Sequence, residues 1–321
     1  MDAKDNKILA ILDLNSRSNS SEIAKKVGLS RQVVEYRIKQ LVKNKIILNF
    51  MTLIDPTKFA DNIWHVYIKL QNLTEESEKR IHNYLLKKKE VWWIAKCQGE
   101  YDLVFSIAGD DIIAFDHLIS EFRAGFHPII NQLHITSLIK VDSFPRGYFL
   151  NTETNKNTYV GERKKVKIDE KDLAILKILA TNSRKPATEI AELTDLTSRQ
   201  VIYRIKELEK KEVIRHYRLH LNLQRINYDY YKVCFHTQDF TESTEKSILS
   251  WCEVNPNVVY YIKKISPWTF EIEFEAESYR QLNKILQDLR NKFGNTIKRT
   301  ETTLICEEFK GELDILKAAL L

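Results

Sequence analysis

A long internal repeat constrains the fold of this chain more than any other feature. When the 321-residue sequence is shifted by 167 positions, residues 5–47 align with residues 172–214 without a gap, and 20 of the 43 aligned positions are identical. The tripeptide Asn-Ser-Arg at 15–17 returns at 182–184, and the same offset continues downstream. The sequence therefore predicts two copies of one unit of roughly 150 residues.

The first part of each unit has helical periodicity. Asp5 is the predicted cap of a first helix, and a second helix is expected over Ser20–Val27, ended by a left-handed Gly28. Ser30 is predicted to cap a third helix, and Thr197 takes its place in the second copy. Three short helices in this order are typical of a helix-turn-helix.

The second part of each unit alternates strands with helices, after a β-rich stretch at 46–53 that is expected to add a wing. The predicted elements of the first copy are strand 65–70, helix 74–89, strands 91–96 and 103–108, helix 112–126 and strand 132–141. Those of the second are strand 231–236, helix 242–254, strands 258–263 and 269–275, helix 279–293 and strand 299–307. The order β-α-β-β-α-β predicts a ferredoxin-like sandwich with its helices on one sheet face. Face-to-face pairing of two such sheets would cover the other face.

The predicted fold class is therefore α+β, a tandem repeat of a winged helix-turn-helix and a ferredoxin-like βαββαβ domain. The predicted boundaries are a winged helix-turn-helix at 1–54, a ferredoxin-like domain for ligand sensing or assembly at 62–146, a polar linker at 147–167, a second winged helix-turn-helix at 168–222, a second ferredoxin-like domain at 228–310 and a tail at 311–321.

Composition excludes several classes of protein. The 50 basic residues against 44 acidic ones give a net charge of +6, which is compatible with a nucleic-acid partner. The four cysteines form no C-x-x-C pair, so neither a zinc ribbon nor a disulfide framework is expected, and reduced thiols indicate a cytoplasmic protein. No P-loop or dinucleotide-binding glycine run, membrane span or signal peptide is found. No cofactor and no metal site is expected.

The order and spacing of several short motifs resemble the Lrp/AsnC (leucine-responsive and asparagine regulator) family. The motifs are Asp5-x-x-Ile8-Leu9, Ser16-Arg17, Glu22-Ile23-Ala24, Gly28-Leu29-Ser30, Tyr36-Arg37-Ile38-x-x-Leu41, Ile46-Ile47 and Gly99-Glu100-Tyr101-Asp102. The resemblance covers both units, whereas family members usually carry one unit per chain and dimerise. It implies a sequence-specific DNA-binding transcription regulator rather than an enzyme. The chain is interpreted as a built-in pseudo-dimer that binds double-stranded DNA and self-associates through its ferredoxin-like domains.

The third helix of each copy is the predicted DNA-reading element. If the apolar stripe of the helix is buried, the DNA-binding residues are Ser30, Arg31, Gln32, Glu35, Tyr36, Arg37 and Lys39 in the first copy and Ser198, Arg199, Gln200, Tyr203, Arg204 and Lys206 in the second. Arg31 suits guanine, Gln32 suits adenine, and Arg37 and Lys39 suit phosphates. Arg31 aligns with Ser198, so the two helices are expected to prefer different bases. The alternative is a solvated helix in a protein-binding module.

The resemblance also implies an effector site at a turn between two strands. Family members bind amino-acid effectors near a turn similar to Gly99-Glu100-Tyr101-Asp102, so Gly99, Tyr101 and Asp102 are the candidate residues for an amino acid or another small effector. Gly99 permits close backbone approach, and Asp102 suits an ammonium group. The second copy reads Ser266-Pro267-Trp268-Thr269 here and lacks both features. The alternative is a tight turn with no ligand.

The sequence has three further features or resemblances that bear on function. Sirohaem decarboxylases resemble the same architecture, but a Tyr-Asn-x-Trp-Phe-like stretch expected of them is missing from strands 91–96 and 103–106. A protein-interaction scaffold that does not bind DNA is another alternative to the regulator. His216 and His220 have a metal-ligand spacing, but their segment is predicted as a strand without a third ligand nearby.

Overall fold

The computed structural model describes residues 1–150, 156–161, 163–310 and 316. The predicted tail, apart from Leu316, and residues 151–155 and 162 of the predicted linker lie outside the described residues. Among the residues described, no helix has both the length and the apolar character required to cross a membrane.

The elements follow the predicted order twice. The helices are α1 (Ala3–Leu14), α2 (Ser20–Val27), α3 (Arg31–Lys43), α4 (Glu75–Lys87), α5 (Ile112–Phe126), α6 (Glu170–Thr181), α7 (Ala187–Thr194), α8 (Ser198–Lys210), α9 (Glu242–Val254) and α10 (Tyr279–Phe293). The strands are β1 (Ile47–Ile54), β2 (Asn62–Leu70), β3 (Val91–Gly99), β4 (Leu103–Gly109), β5 (Ile130–Ser143), β6 (Asn157–Val160), β7 (Ile214–Leu221), β8 (Asp229–Thr237), β9 (Val258–Ile265), β10 (Phe270–Ala276) and β11 (Ile297–Phe309). The mixture of helices and strands confirms the α+β class.

Local capping chemistry explains where the helices begin and end. Ser30 and Thr197 cap α3 and α8 as predicted, because each side chain accepts a backbone N–H three residues on. The prediction for α1 was wrong: its cap is Asp2, and Asp5 is the third helical residue of a capping box with Asp2. Gly28 ends α2 at φ 69° as predicted.

The predicted wing strands pair with each other. Strand β1 of the first unit runs antiparallel to β7 of the second, with Phe50 opposite Leu219 and Thr52 opposite Tyr217. An extended strand needs a partner for its backbone groups, and each unit supplies that partner to the other. The resulting β1–β7 ribbon joins the two halves instead of forming a hairpin within either one.

The two ferredoxin-like sheets close into one barrel. Their strand orders are β5-β2-β4-β3 and β11-β8-β10-β9, and the sheets join edge to edge where β3 pairs with β11 and β9 pairs with β5. The eight antiparallel strands therefore have no open edge. The expected face-to-face pairing takes place within the chain, since Tyr67 of β2 contacts Glu271 of β10 across the interior, and the sheet edges join as well. Strand β6, from the segment predicted as a linker, adds to β5.

The interior of this barrel is not symmetric. On β4 of the first unit, Val104, Ser106 and Ala108 alternate with the core residues Phe105 and Ile107, which belong to the cluster that includes residues of α4 and α5. At the same positions of β10, shifted by 167, stand three buried glutamates, Glu271, Glu273 and Glu275. The second half therefore supplies the charged part of the interior.

Candidate nucleic-acid interface

Helices α3 and α8 each present one polar face. Val34, Ile38 and Leu41 are buried on α3, and the matching face of α8 buries Val201, Ile205 and Leu208. The predicted outward positions Gln32, Lys39, Arg199 and Lys206 are exposed. Tyr36 is 62% exposed and its counterpart Tyr203 is 64% exposed. Large aromatic side chains at equivalent exposed positions are suited to contact with a flat or charged partner.

Several predicted contact residues already have partners in the protein. Arg37 Nη1 donates to Asp2 at 2.8 Å and to Asp5 at 2.8 Å, and Arg204 Nη1 donates to Asp169 and Asp172 at 2.7 Å each. The bond to Asp5, followed by the one to Asp2, raises the pKa of Arg37. These ion pairs tie the third helix of each unit to the first turn of its first helix.

Two further predicted residues are held within their own helix. Arg31 Nε donates to Glu35 at 2.7 Å, in an exposed pair one helical turn long. Gln200 is engaged by capping, because its Oε1 accepts the backbone N–H of Thr197 at 2.8 Å. Gln200 would have to give up this bond to make a two-bond contact with a base, whereas the pair of Arg31 with Glu35 uses only Nε of the arginine.

A contact between the two helix-turn-helix units was not predicted. Ser16 Oγ and Ser183 Oγ are 2.6 Å apart, although they occupy the same position in the two copies. Arg17 donates to the carbonyl oxygen of Ser183, and Arg184 donates to that of Ser16 at 2.7 Å. A local two-fold axis therefore passes between the serines, and the repeated Asn-Ser-Arg tripeptide was the available signal.

The ribbon reinforces this contact symmetrically. The backbone N–H of Ser16 donates to the carbonyl oxygen of Tyr217 at 3.1 Å, and that of Ser183 donates to the carbonyl oxygen of Phe50 at 2.8 Å. The Arg17 guanidinium lies over the Tyr217 ring and the Arg184 guanidinium over the Phe50 ring, each at 5.4 Å. Because matching bonds run in both directions, α3 and α8 are held in a fixed relation to one another.

A basic cleft opens beside this contact. Its volume is about 630 Å³, and its cationic lining residues are Arg17, Arg31, Arg184 and Lys185. Burial, followed by the charge of Arg17, lowers the pKa of Arg184, so the two guanidinium groups affect each other electrostatically. Clustered positive charge of this kind attracts a phosphate backbone.

The predicted effector turn lies against the opposite half of the barrel. Gly99 has φ +119°, and a Cβ there would stand 2.6 Å from the carbonyl oxygen of Thr302 on β11. Asp102 accepts the backbone N–H of Leu70 at 2.8 Å and Lys69 Nζ at 3.2 Å. Tyr101 is buried in the barrel, in a cluster with Tyr67 and Trp268. The three residues are close together, but the carboxylate is already engaged.

The two histidines at metal-ligand spacing lie on β7, a strand as predicted. Over the part of the chain that the structure describes, no group of three or more His, Cys, Asp or Glu side chains is placed to hold a metal ion.

Comparison with known proteins agrees with the repeat. A family described as "Winged helix-turn-helix DNA-binding" matches residues 1–47 and 168–215. The chain is 29% identical over 122 residues to the proline dehydrogenase transcriptional activator of Rhizobium radiobacter, covering 38% of this chain and 78% of that protein. It is 29% identical over 124 residues to the HTH-type transcriptional regulator LysM of Sulfurisphaera tokodaii, covering 39% and 86%.

Solved structures of a siroheme decarboxylase share the fold over nearly the whole length. The siroheme decarboxylase NirDL superposes with a TM-score of 0.61 at 11% identity, covering 99% of this chain and 98% of that one. At this identity the likeness concerns the fold alone, including the arrangement of the two halves.

Proposed function

We propose that this chain, a tandem relative of the Lrp/AsnC regulators, is a sequence-specific transcription regulator that acts on double-stranded DNA in the cytoplasm. The observation that carries the proposal is the symmetric contact around Ser16 and Ser183, which holds two helix-turn-helix units in one fixed arrangement. Regulators of this type ordinarily need two chains to present two reading helices. Here one chain presents both.

The DNA-reading residues divide into two groups by their present partners. Gln32, Tyr36 and Lys39 on α3, with Arg199, Tyr203 and Lys206 on α8, are exposed and would meet the DNA first. The proposed interface also includes Ser30, Ser198, Arg31, Glu35, Gln200, Arg37 and Arg204. Ser30 and Gln200 take part in helix caps, and Arg31 and Glu35 pair with each other. Arg37 and Arg204 bind aspartates at the starts of α1 and α6. The basic cleft with Arg17 and Arg184 extends the surface between the two helices.

The two half-sites are expected to differ in sequence. The Ser-Arg-Gln triplet begins at residue 30 in the first copy and at residue 198 in the second, one place out of register with the 167-residue offset. A shifted triplet places different side chains at equivalent points of the groove.

Selection of binding sites from a random duplex pool tests this function. We expect an asymmetric pair of half-sites, and an affinity whose logarithm falls with the logarithm of salt by roughly 0.9 for each phosphate contacted. Salt dependence without a selected motif would indicate an architectural role. Absence of both, with the protein folded by circular dichroism, would refute the proposal.

The effector proposal keeps Gly99, Tyr101 and Asp102 as its residues. An amino acid whose ammonium group binds Asp102 would replace Lys69, whose Nζ is 3.2 Å from that carboxylate. Titration calorimetry with a panel of amino acids tests it, and the Asp102→Asn variant is the control. If no amino acid gives heat, the turn is structural.

A sirohaem decarboxylase-like enzyme is the second candidate, favoured by the whole-length likeness in fold to NirDL. This function predicts that the purified protein retains or binds a tetrapyrrole with a visible absorbance band. A colourless protein that does not bind added tetrapyrrole would exclude this candidate.

A further inference from the structure

A cavity separates the β1–β7 ribbon from the barrel. Its volume is about 520 Å³, within the range of pockets that bind small molecules. Met51 and Leu219 line it from the ribbon, and His65, Ser106 and Ile262 line it from the barrel. Both halves of the chain therefore contribute to one cavity, which is separate from the effector turn at residues 99–102.

Three polar atoms of residues lining this cavity have no hydrogen-bond partner among the residues that the structure describes. They are Nε2 of His65, Nε1 of Trp92 and Oγ of Ser106. Ser106 is completely buried and His65 is 8% exposed. His65 and Ser106 face each other across β2 and β4, so two of the atoms come from one cross-strand pair. Buried polar groups without a partner are uncommon because each one costs free energy.

All three atoms are hydrogen-bond donors. Nδ1 of His65 is 2.7 Å from Lys264 Nζ, which donates to it. Burial, followed by the charges of Lys264 and Lys232, lowers the pKa of His65 well below its usual value, so the ring is neutral. A neutral ring that accepts at Nδ1 carries its hydrogen at Nε2. The indole of Trp92 only donates, and a serine hydroxyl can donate.

The carboxylates around the cavity are, in contrast, engaged. Glu273 binds Lys232 and Tyr230, and Glu275 accepts two bonds from Arg146, at 2.7 and 2.8 Å. Glu308 accepts Trp93 Nε1 at 2.7 Å. The cavity therefore offers unmet donors, while the carboxylates Glu273, Glu275 and Glu308 are engaged. The complementary ligand brings an acceptor and needs no cationic group.

We propose that this cavity is a binding site for a small organic carboxylate with an apolar or aromatic body. The carboxylate accepts hydrogen bonds from His65, Ser106 and Trp92, and the body packs against Leu138, Val141 and Ile262. Bonds from neutral donors to an ionised acceptor are among the stronger ones in proteins. The proposal concerns the barrel and is independent of whether the helices α3 and α8 bind DNA.

Calorimetric titration of the full chain with matched probes tests the site. The carboxylates are indole-3-acetate and octanoate, and their uncharged counterparts are indole-3-acetamide and octanamide. We expect each carboxylate that binds to do so with one site per chain, and roughly ten-fold or more tightly than its amide. If neither carboxylate binds at millimolar concentration, or if carboxylate and amide bind equally, the proposal is wrong.

Two variants locate the binding. Ser106→Ala and Trp92→Phe each remove a donor while keeping most of the side-chain volume, and together they should weaken carboxylate binding roughly ten- to hundred-fold. The control is Trp251→Phe, because Trp251 lies on α9 outside the cavity and its Nε1 donates to Asp288. Circular dichroism checks that each variant is folded. Unchanged affinity in the folded double variant would place the ligand elsewhere and refute the site.

Discussion

Replacement of Glu271 by glutamine tests the charged interior of the barrel most directly. Glu271 is completely buried and accepts hydrogen bonds from Tyr67 Oη at 2.7 Å and from Trp268 Nε1 at 2.8 Å. Its carboxylate pairs with Lys264 Nζ at 2.9 Å and with Lys232 Nζ at 3.1 Å. Lys232 also pairs with Glu273, whereas Glu271 is the one carboxylate paired with Lys264 among the described residues.

The loss in free energy of unfolding that Glu271→Gln causes follows from the ionisation of Lys264. Burial, only partly offset by the charge of Glu271, lowers the pKa of Lys264 to about 8. Without that negative charge the lysine must remain charged and unpaired or lose its proton, and either state is unfavourable. Removing one partner of a buried ion pair costs about 3–5 kcal/mol. We expect about 3 kcal/mol for Glu271→Gln, the lower end of that range, because the amide keeps an acceptor oxygen.

Urea unfolding of the full chain at neutral pH, followed by circular dichroism, measures this loss. Adding Lys264→Met to Glu271→Gln removes the unpaired lysine and should restore most of the stability. The control is Glu242→Gln, since Glu242 is 81% exposed in a surface pair with Lys246 and its loss should change stability by less than about 0.5 kcal/mol. A loss below about 1 kcal/mol for Glu271→Gln, or a further loss on adding Lys264→Met, would refute the reasoning.

Three further predictions concern backbone geometry, DNA contact and pH. Gly99→Ala should lower the free energy of unfolding by about 1–3 kcal/mol, because φ is +119° and the new Cβ would meet the Thr302 carbonyl oxygen. The control is Gly125→Ala on α5, whose Cβ meets nothing within 4 Å and which should be neutral or stabilising by up to about 1 kcal/mol. Equal urea midpoints for the two variants would contradict this. Lys39→Ala should reduce the salt slope of DNA affinity by about 1, and an unchanged slope would exclude Lys39 from the phosphate contacts. The pKa of Lys264 is about 8 in the folded state and 10.5 ordinarily, so the unfolded chain binds more protons between these two pH values. The stability of the wild type should therefore rise with pH relative to that of Lys264→Met, by about 3 kcal/mol in total. Urea midpoints of the two proteins that stay parallel from pH 7 to above about 10.5 would disprove the shift.

The secondary structure was predictable because its signals are local. The bounds of α2, α5, α9 and α10 were predicted to the residue, since each helix has a periodic apolar stripe and a recognisable cap or stop. The error at Asp5 is also local, because an aspartate at the cap and one at the third helical position look alike in sequence. The exposure of Tyr36 and Tyr203 was likewise predictable from the spacing of their buried neighbours.

The partners of the site residues could not be predicted in the same way. Arg37 reaches Asp5 from 32 positions away, and Arg184 reaches Ser16 from 168 positions away. Periodicity shows which side of a helix faces outward, but it contains no information about which distant carboxylate or carbonyl oxygen lies beside it. Arg37 therefore looked available for phosphates and Arg204 for DNA contact, although ion pairs engage both.

The sequence by itself determined the two units, the elements within each and the faces of their helices, because all of these depend on spacing along the chain. Only the tertiary structure decided that β1 pairs with β7 and that the polar face of β10 is inside. The alternating Phe-Glu-Ile-Glu-Phe-Glu of residues 270–275 is typical of a strand with one face in water. Closure of the two sheets into a barrel buries that face, and Lys232 and Lys264 from neighbouring strands make the burial tolerable by pairing with the glutamates.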